Sequence, residues 1–399
     1  MNFYNEIHYP TFADFLLIRP SAVTHSPHSV ECGSRWRTYG SSSGWSSDIT
    51  DSALGEHFER KHFYLDIPVH DRNRLGDGLT AKECQAFIKA FSQTLISNEK
   101  SSLQSHCFDR TTVYRVTDFT SCKVPTVCLS ISECRNPTDN NFYPIRDTCG
   151  CSAHITIKNA VLGAIRETLE RQFLLRFWLT KICTAKIEFD DACETLAASA
   201  SLKLFQELKK SGELCILDLT DERFPGSCIL LCYGSQDATT QVKYCAGMAY
   251  APTTRHALEK SIVELWQTFR FMQSVDCENE LKNPLQDPYL KHFLSCNNYN
   301  TFREISSELA FTQRNHESPP NELTIQNLLK TLRALQLNGY LYLTSTPYKQ
   351  SNLYLCKYFS PNLFLHMNNA NHLNIENHYS TPFFNEIIKN QNSKMVPFP

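Results

Sequence analysis

The sequence has little charge and lacks the segments that would mark a membrane, secreted or nucleic-acid-binding protein. Charged residues make up 20% of the 399 residues and the net charge is −2, so no electrostatic case exists for nucleic acid or an anionic membrane as a main partner. The N-terminal sequence MNFYNEIHYPTF lacks the basic and apolar regions of a signal peptide. No apolar run reaches the length of about 18 residues that a transmembrane helix needs. These absences predict a cytoplasmic protein with no membrane and no nucleic-acid partner.

Motifs that identify several large enzyme classes are also missing. The chain contains no GxxxxGK[ST] or GxGxxG nucleotide loop, no HExxH zinc motif and no GxSxG nucleophile motif. It has 17 cysteines, an odd number, and no pair of CxxC knuckles. A disulfide framework is typical of short secreted chains, so we interpret these cysteines as reduced thiols that pack like small apolar residues.

The sequence does contain enough apolar residues for a large core, and within it an internal repeat. Apolar residues make up 42% of the chain. Residues 118–120 (DFT) precede Val124-Pro125, and residues 218–220 (DLT) precede Phe224-Pro225 at the same distance. Both copies lie in β-branched, apolar sequence that predicts two strands joined by a turn.

Each copy continues in the same order. A polar loop leads to a glycine, Gly150 or Gly247, and seventeen residues later a glutamate, Glu167 or Glu264, lies in a predicted helix. An upstream segment shows a related spacing, because a predicted loop over residues 39–48 contains Gly40, sixteen residues before Glu56. Strand–turn–strand–loop–helix units used repeatedly predict an α+β fold with one folded body and a shared centre.

The predicted helices share a pattern of acidic and basic residues. The first two carry Glu-x-x-Glu-Arg and the third a related Glu-x-x-Gln with an arginine one turn later: Glu56, Glu59 and Arg60; Glu167, Glu170 and Arg171; Glu264, Gln267 and Arg270. One interpretation is a solvated helix face. The helix predicted over residues 158–178 is apolar nearly all round, however, which indicates that it is covered on both sides and that its carboxylates need a positive partner.

Magnesium is the natural partner for such carboxylates. Several partly buried glutamates repel one another unless a hard cation lies between them, and Mg²⁺ combines carboxylate oxygens with phosphate oxygens and water. Arginines and backbone N–H groups could then bind the phosphates. The residues alone therefore suggest a site for a magnesium nucleotide that uses no common nucleotide-binding motif.

At this point the chain resembles the YcaO family, whose members carry Glu-x-x-Glu-Arg helices around a Mg-ATP site. The matching segments are SALGEHFER at 52–60, TCGCSAH to AIRETLER at 148–171 and ALEKSIVELWQTFR at 257–270, so the resemblance covers roughly residues 38–275. The terminal KMVPFP resembles the Pro-x-Pro-x-Pro end of azoline-forming members, with Met395 in place of the first proline. The family's GKG is absent near Ser43-Gly44-Trp45, and Cys149-Gly150-Cys151-Ser152 also departs from the family pattern.

The resemblance implies a YcaO-like fold around a central nucleotide site and an ATP-dependent cyclodehydratase. A peptide Cys thiol or Ser hydroxyl attacks the preceding amide carbonyl, the oxyanion takes the γ-phosphate of ATP, and loss of phosphate leaves a thiazoline or oxazoline. By the same resemblance, Glu56, Glu59, Glu167 and Glu170 hold Mg²⁺. Arg60, Arg171, Glu264, Gln267 and Arg270 contact the nucleotide or order those carboxylates, and the terminal carboxylate of Pro399 enters the site as a catalytic group.

The resemblance also implies partners and leaves alternatives open. The chain shows no fused copy of a ThiF-like domain, so we expect a precursor peptide as substrate, a separate ThiF-like leader-binding docking protein, and a flavin-dependent azoline dehydrogenase if azoles are made. The whole would be a multi-subunit synthetase of the bacteriocin or microcin type. The alternatives are amide activation for an external nucleophile, as in thioamidation, and a non-catalytic scaffold subunit.

We expect one catalytic domain over residues 1–399, with the repeated core at 38–275 and a C-terminal portion at 276–399 that delivers the tail. In that portion the pattern predicts a helix over Glu322–Leu337, a strand over Tyr340–Thr344 and a loop over Asn368–His378.

Overall fold

A computed structural model describes residues 15–19, 26–33, 39–96, 103–132, 136–274, 288–312, 322–368 and 370–398. The helices in these ranges are α1 (Ile49–Leu65), α2 (Ala81–Thr94), α3 (Asp139–Phe142), α4 (Ile157–Thr180), α5 (Phe189–Thr195), α6 (Ser201–Ser211), α7 (Thr254–Ser274), α8 (Pro288–Ser295), α9 (Tyr299–Ser306) and α10 (Ile325–Ala334). Short 3₁₀ turns lie at Thr126–Cys128, Thr381–Glu386 and Gln391–Ser393. Within this part of the chain, no helix is both long and apolar enough to cross a membrane.

The strands complete a mixed α+β fold, as predicted. They are β1 (Phe15–Arg19), β2 (His28–Gly33), β3 (Tyr39–Gly44), β4 (Asp71–Arg74), β5 (Cys107–Arg115), β6 (Ser121–Pro125), β7 (Cys151–His154), β8 (Ile182–Cys183), β9 (Ala185–Lys186), β10 (Glu213–Asp218), β11 (Ser227–Gly234), β12 (Tyr244–Ala251), β13 (Ala310–Phe311), β14 (Tyr340–Tyr348) and β15 (Ser351–Phe359). They form a three-stranded sheet β1-β2-β3, a four-stranded sheet β12-β11-β10-β9, a small pair β13-β8 and a sheet β4-β5-β14-β15-β7 to which β6 adds by pairing with β5.

Both predicted hairpins are present and are closed by the same turn. In the first, the Thr120 N–H and hydroxyl donate to Asp118 Oδ1 at 2.9 and 2.7 Å. In the second, the Thr220 N–H and hydroxyl donate to Asp218 Oδ1 at 3.0 and 2.5 Å. An Asp side chain that bonds its own backbone two residues later favours such a turn, which explains why the Asp-x-Thr signal recurs.

The two halves differ in how their strands are joined. In the second half β10, β11 and β12 are neighbours, and α7 packs on β11 and β12. In the first half the C-terminal hairpin β14–β15 lies between β5 and β7, and α4 packs on β15 and β7. Residues after 276 therefore complete the sheet of the first half. The helix predicted at 322–337 is shorter, and the strand predicted at 340–344 is confirmed and longer.

The predicted loop over residues 39–48 is wrong for its first six residues, which form β3. This strand packs directly on α1, because a Cβ at Gly40 would clash with the carbonyl oxygen of Ala53. Gly247 makes the equivalent contact in the second half, where a Cβ would clash with the carbonyl oxygen of Ser261 in α7. The glycines that the spacing singled out thus allow a strand to touch the helix that carries the glutamates.

Candidate active site

Three helices bring their glutamates to one cleft, and each of these helices packs on a strand: α1 on β3, α4 on β7 and α7 on β12. The negative charge of Glu56 acts on Glu59, and that of Glu59 acts on Glu167. Glu170 in turn acts on both Glu167 and Glu264. The structure therefore brings together the five glutamates that the sequence selected, in one continuous acidic cluster.

Burial raises the pKa values of four of these glutamates, and the charge of neighbouring carboxylates adds to it in Glu59, Glu167 and Glu264. Loss of hydration is the largest cause for Glu59, with Glu56 next, and the pKa of Glu59 rises to about 8. Loss of hydration and the charge of Glu170 raise the pKa of Glu264 to about 8, although its side chain at the edge of the cleft meets solvent. Loss of hydration also raises the pKa of Glu167 well above its usual range, and raises that of Glu170. Burial and mutual repulsion therefore outweigh the positive charges that act on these carboxylates.

Two of the predicted arginines pair with the glutamates of the cluster. Arg60 Nη2 lies 2.5 Å from Glu56 Oε1. For Arg171, burial by itself lowers the pKa, but Glu167 and Glu170 outweigh it and the pKa rises. Arg171 therefore lies between two of the glutamates and binds to both electrostatically.

Backbone and amide hydrogen bonds fix the orientation of several of these side chains. The Ser41 N–H of β3 donates to Glu56 Oε2 at 2.6 Å, and the Tyr250 N–H of β12 donates to Glu170 Oε2 at 2.7 Å. Gln267 Nε2 donates to Ser41 Oγ at 2.6 Å, which connects α7 to β3. Gln267 is thus connected to Glu56 through Ser41, which is consistent with its predicted role in ordering that carboxylate.

The C-terminal tail packs into the protein beside this cluster. Val396 and Phe398 are buried, the Tyr244 hydroxyl donates to the Pro397 carbonyl oxygen at 3.0 Å, and the Tyr289 hydroxyl donates to the Phe398 carbonyl oxygen at 2.7 Å. Phe398 lines a small cavity together with Arg171 and Glu264. Pro399 itself lies outside the described residues.

Arg270 occupies a different environment from the other predicted site residues. Its guanidinium lies over the Trp266 ring, 5.9 Å from the ring centroid. On a helix the position six residues after Glu264 is turned well away from it. The contact of Arg270 with nucleotide therefore stays a prediction.

Sequence reasoning missed further charged residues at the cluster. Arg166 and Lys260 each precede a cluster glutamate by four residues, and their charges lower the pKa of Glu170; Lys260 also lowers that of Glu264. The i, i+4 spacing was the signal that could have found both. Asp147 acts on Glu167, and Lys357 acts on Glu59, but no local pattern marks these two residues because they reach the cleft through a loop and a distant strand.

The donor set fits a magnesium nucleotide. The glutamate side chains are hard oxygen donors, and a bound cation would offset the burial and mutual repulsion that raise the pKa values of Glu59, Glu167 and Glu264. In the part of the chain that the structure describes, no three acidic, His or Cys side chains form a preformed metal cage. Mg²⁺ usually takes one or two carboxylates and completes its shell with phosphate and water, so a nucleotide would supply the remaining ligands.

Comparison with known proteins agrees with this arrangement. Residues 51–364 match the sequence profile of the family described as YcaO cyclodehydratase, ATP- and Mg²⁺-binding. The chain is 30% identical over 371 residues to the microcin B17-processing protein McbD of Escherichia coli, which covers 91% of this chain and 90% of McbD.

The fold agrees as well. A chain of the E. coli microcin synthetase McbBCD complex with pro-MccB17 bound matches with a TM-score of 0.88 and 29% identity over 98% of both chains. YcaO from Methanopyrus kandleri, solved with AMPPCP and Mg²⁺, shares the fold with a TM-score of 0.56 and 13% identity over 89% of this chain and 86% of that one. On the match over residues 51–364 and the identity to McbD, the chain belongs to the YcaO family of ATP- and Mg²⁺-binding cyclodehydratases.

Proposed function

We propose that this chain converts Cys and Ser residues of a ribosomal precursor peptide to thiazoline and oxazoline rings at the expense of ATP, within a multi-subunit synthetase of the microcin type. The observation that carries the proposal is the acidic cluster with raised pKa values beside the buried C-terminal tail. The full-length similarity to McbD and to a chain of a complex solved with its precursor peptide supports the peptide substrate.

In this proposal Glu56, Glu59, Glu167 and Glu170 hold Mg²⁺, and the bound Mg-ATP supplies the phosphoryl group for the amide oxyanion. Arg60 and Arg171 would neutralise phosphate oxygens, and Glu264 and Gln267 would order the neighbouring groups, Gln267 through Ser41. Phosphoryl transfer depends mainly on positioning and charge neutralisation, which is what such a cluster provides. Arg270, whose guanidinium lies over Trp266, would contact the nucleotide.

The tail would supply the proton acceptor. The hydroxyls of Tyr244 and Tyr289 hold the last two described carbonyls, and Phe398 lies next to Arg171 and Glu264 in the cavity lining. The carboxylate of Pro399 follows directly in the chain, so we infer that it reaches the cluster and accepts the proton of the attacking thiol or hydroxyl. Proline residues around it suit an extended, fixed tail because they cannot extend a helix.

We also infer one catalytic domain over residues 1–399 and a cytoplasmic location. The insertion of β14–β15 between β5 and β7 supports the first, since the C-terminal portion shares a sheet with the repeated core. The free cysteines of the described residues are compatible with a reducing compartment. The expected partners remain a ThiF-like leader-binding docking protein and a flavin-dependent azoline dehydrogenase.

The direct test combines the purified chain, its partner subunits, Mg-ATP and a Cys/Ser-rich candidate precursor, followed by mass spectrometry of the peptide. We expect the loss of one water per ring, dependent on ATP and abolished by Glu170→Gln. Glu207→Gln, an exposed glutamate of α6, is the matched control and should leave the mass loss intact. ATP consumption in which the peptide forms no ring but exchanges an amide oxygen, released on phosphate, for sulfur from added sulfide would replace cyclisation by thioamidation. Absence of ATP binding would leave the scaffold alternative.

A further inference from the structure

A buried lysine lies behind the acidic cluster and takes no part in the proposed reaction. Lys357 is on β15, opposite Cys151 of β7 and Tyr342 of β14 in the strand register, and only 5% of its surface is exposed. Its Nζ lies 5.9 Å from the centre of the Phe63 ring and donates a hydrogen bond to the Asp147 carbonyl oxygen at 3.1 Å. The chain therefore places a cation inside the sheet that supports the cleft.

Such a residue needs an electrostatic partner, because a buried ammonium group is costly unless negative charge compensates it. Among the residues that the structure describes, no carboxylate lies within ion-pair distance of Lys357, and its direct partners are neutral groups, the Asp147 carbonyl oxygen and the Cys151 thiol. Its charge nevertheless acts on Glu59, opposing the effects of burial and of Glu56 on the pKa of that carboxyl. Burial by itself lowers the pKa of Lys357, but Cys151, Asp147 and Cys149 outweigh it, so the carboxylate with the strongest effect on the lysine is that of Asp147.

Lys357 also fixes the loop that leads into β7. The loop residue Asp147 accepts the Lys357 hydrogen bond through its backbone, while its side chain accepts the Cys149 N–H at 3.0 Å and the Met367 N–H at 2.7 Å. The carboxylate of Asp147 in turn acts on Glu167. The charge of Lys357 therefore acts directly on Glu59 of α1. Its hydrogen bond to Asp147 connects it indirectly to Glu167 of α4.

We propose that Lys357 is a positioning residue, a permanent internal cation that holds Glu59 and the loop of Asp147 in the arrangement that receives Mg-ATP. It would partly offset the repulsion among the glutamates while the cleft is empty. This inference rests on the proposed function, since it assigns a role relative to the same magnesium nucleotide.

The chain offers a matched control in Lys181 at the end of α4. It is also buried, at 6% exposure, and its Nζ also donates to a backbone carbonyl, that of Glu304, at 2.6 Å. Its Nζ lies over an aromatic ring as well, 4.8 Å from the centre of Trp178. Lys181 is far along the helix from Glu167 and Glu170, so its replacement tests the effect of removing a buried lysine outside the cluster.

The test compares Lys357→Met, Lys357→Arg and Lys181→Met by thermal unfolding, with and without Mg²⁺ and a non-hydrolysable ATP analogue, and by steady-state kinetics. We expect Lys357→Met to lower the Tm of the ligand-free protein by about 5 °C, as removal of a buried charge partner does. The KM for ATP should rise about tenfold with kcat within about twofold, the signature of lost ground-state binding. In Lys357→Arg the KM for ATP should stay close to the wild-type value, and in Lys181→Met it should be unchanged.

A double variant covers the case in which Lys357→Met alone does not fold. In Glu59→Gln the lysine has less negative charge to balance, so adding Lys357→Met should cost less stability than it does in the wild type. An equal cost in both backgrounds, or a higher ligand-free Tm with unchanged KM in Lys357→Met, would overturn the inference. If Mg²⁺ and the analogue do not stabilise even the wild type, the proposed nucleotide site fails instead, so the two failures are distinct.

Discussion

Two acidic sites in this protein, the buried Asp221 and the half-buried glutamate cluster, balance their charge in opposite ways. Asp221, 3% exposed, is surrounded by Arg223 Nη2 at 2.6 Å, Arg176 Nη1 at 3.6 Å and the Tyr379 hydroxyl at 3.2 Å. Burial alone would raise its pKa, but the bonds to Arg223 outweigh burial and the pKa is lowered. In the cleft the balance is reversed, and the pKa values of Glu59, Glu167, Glu170 and Glu264 are raised.

The difference is informative because both sites draw on α4. Arg176, near the end of that helix, helps to neutralise Asp221, whereas Glu170 and Glu167, six and nine residues earlier, share Arg171 with each other. A carboxylate that only stabilises the fold is fully paired within the chain. A group of carboxylates whose internal counter-charge does not outweigh burial and mutual repulsion is instead prepared for a cation from outside. The predictions below test this contrast.

The largest expected effect is the loss of activity in Glu167→Gln. The change removes a negative charge from the centre of the cluster, so we expect ATP-dependent dehydration of the peptide to fall by about 100-fold or more. The Tm of the ligand-free protein should stay the same or rise, because repulsion within the cluster falls. Peptide mass spectrometry and thermal unfolding measure the two effects, and a strongly lowered ligand-free Tm would mean that Glu167 stabilises the fold.

Asp221→Asn should show the opposite pattern. It leaves Arg223 and Arg176 with an uncompensated charge, so we expect the free energy of unfolding to fall by about 3 kcal/mol. The kcat and KM of the protein that remains folded should match the wild type. Denaturant unfolding and kinetics on the soluble fraction provide the check, and Glu207→Gln on the surface of α6 serves as the control for a lost acid.

The sequence could predict those features of the site that depend on residues close together in the chain. The Glu-x-x-Glu spacing on α1 and α4 and the Asp-x-Thr turns are determined by residues close in the chain, and the structure contains both. The strand at Tyr39–Gly44 could not be predicted, because glycine and serine have low strand propensity and β3 exists through its pairing with β2 and its contact with α1. Lys357 and Asp147 reach the cleft only because β15 pairs with β7, about two hundred positions away.

The pH dependence of stability should also separate the two sites. The folded-state pKa values of Glu59 and Glu264, about 8, exceed the ordinary value of 4.5, so the folded protein holds more protons than the unfolded chain between those values. Its stability without ligand should therefore fall as the pH rises from about 5 to 8. Asp221, with a lowered pKa, contributes stability that is lost only as the pH falls below its ordinary value of 3.8.

The measurement is a series of denaturant titrations from pH 5 to 9, with and without Mg²⁺ and a non-hydrolysable ATP analogue. A bound ligand that keeps the glutamates ionised should reduce the dependence of the free energy of unfolding on pH. The variants Glu59→Gln and Glu264→Gln should each reduce this pH dependence in part, whereas Asp221→Asn should leave it unchanged. A stability that rises with pH across this range in the ligand-free protein would contradict the electrostatic account of the cluster.

The smallest expected effect concerns the tail. Tyr244→Phe removes the hydrogen bond to the Pro397 carbonyl oxygen and should cost about 1 kcal/mol of stability. Because the Tyr289 bond to the Phe398 carbonyl oxygen remains, we expect kcat to fall only a few-fold and the KM for ATP to stay unchanged. Tyr299→Phe, which removes a hydroxyl bonded to the exposed Glu213, is the matched control and should leave kcat unaltered.

The central claim is that the acidic cluster is the magnesium nucleotide site, and calorimetric titration of a non-hydrolysable ATP analogue tests it most directly. The wild type and Asp221→Asn should bind the analogue with equal affinity and only when Mg²⁺ is present. Glu170→Gln should weaken this binding by about 100-fold, because it removes a carboxylate from the centre of the cluster. Wild-type affinity in Glu170→Gln, or binding that does not depend on Mg²⁺, would contradict the account.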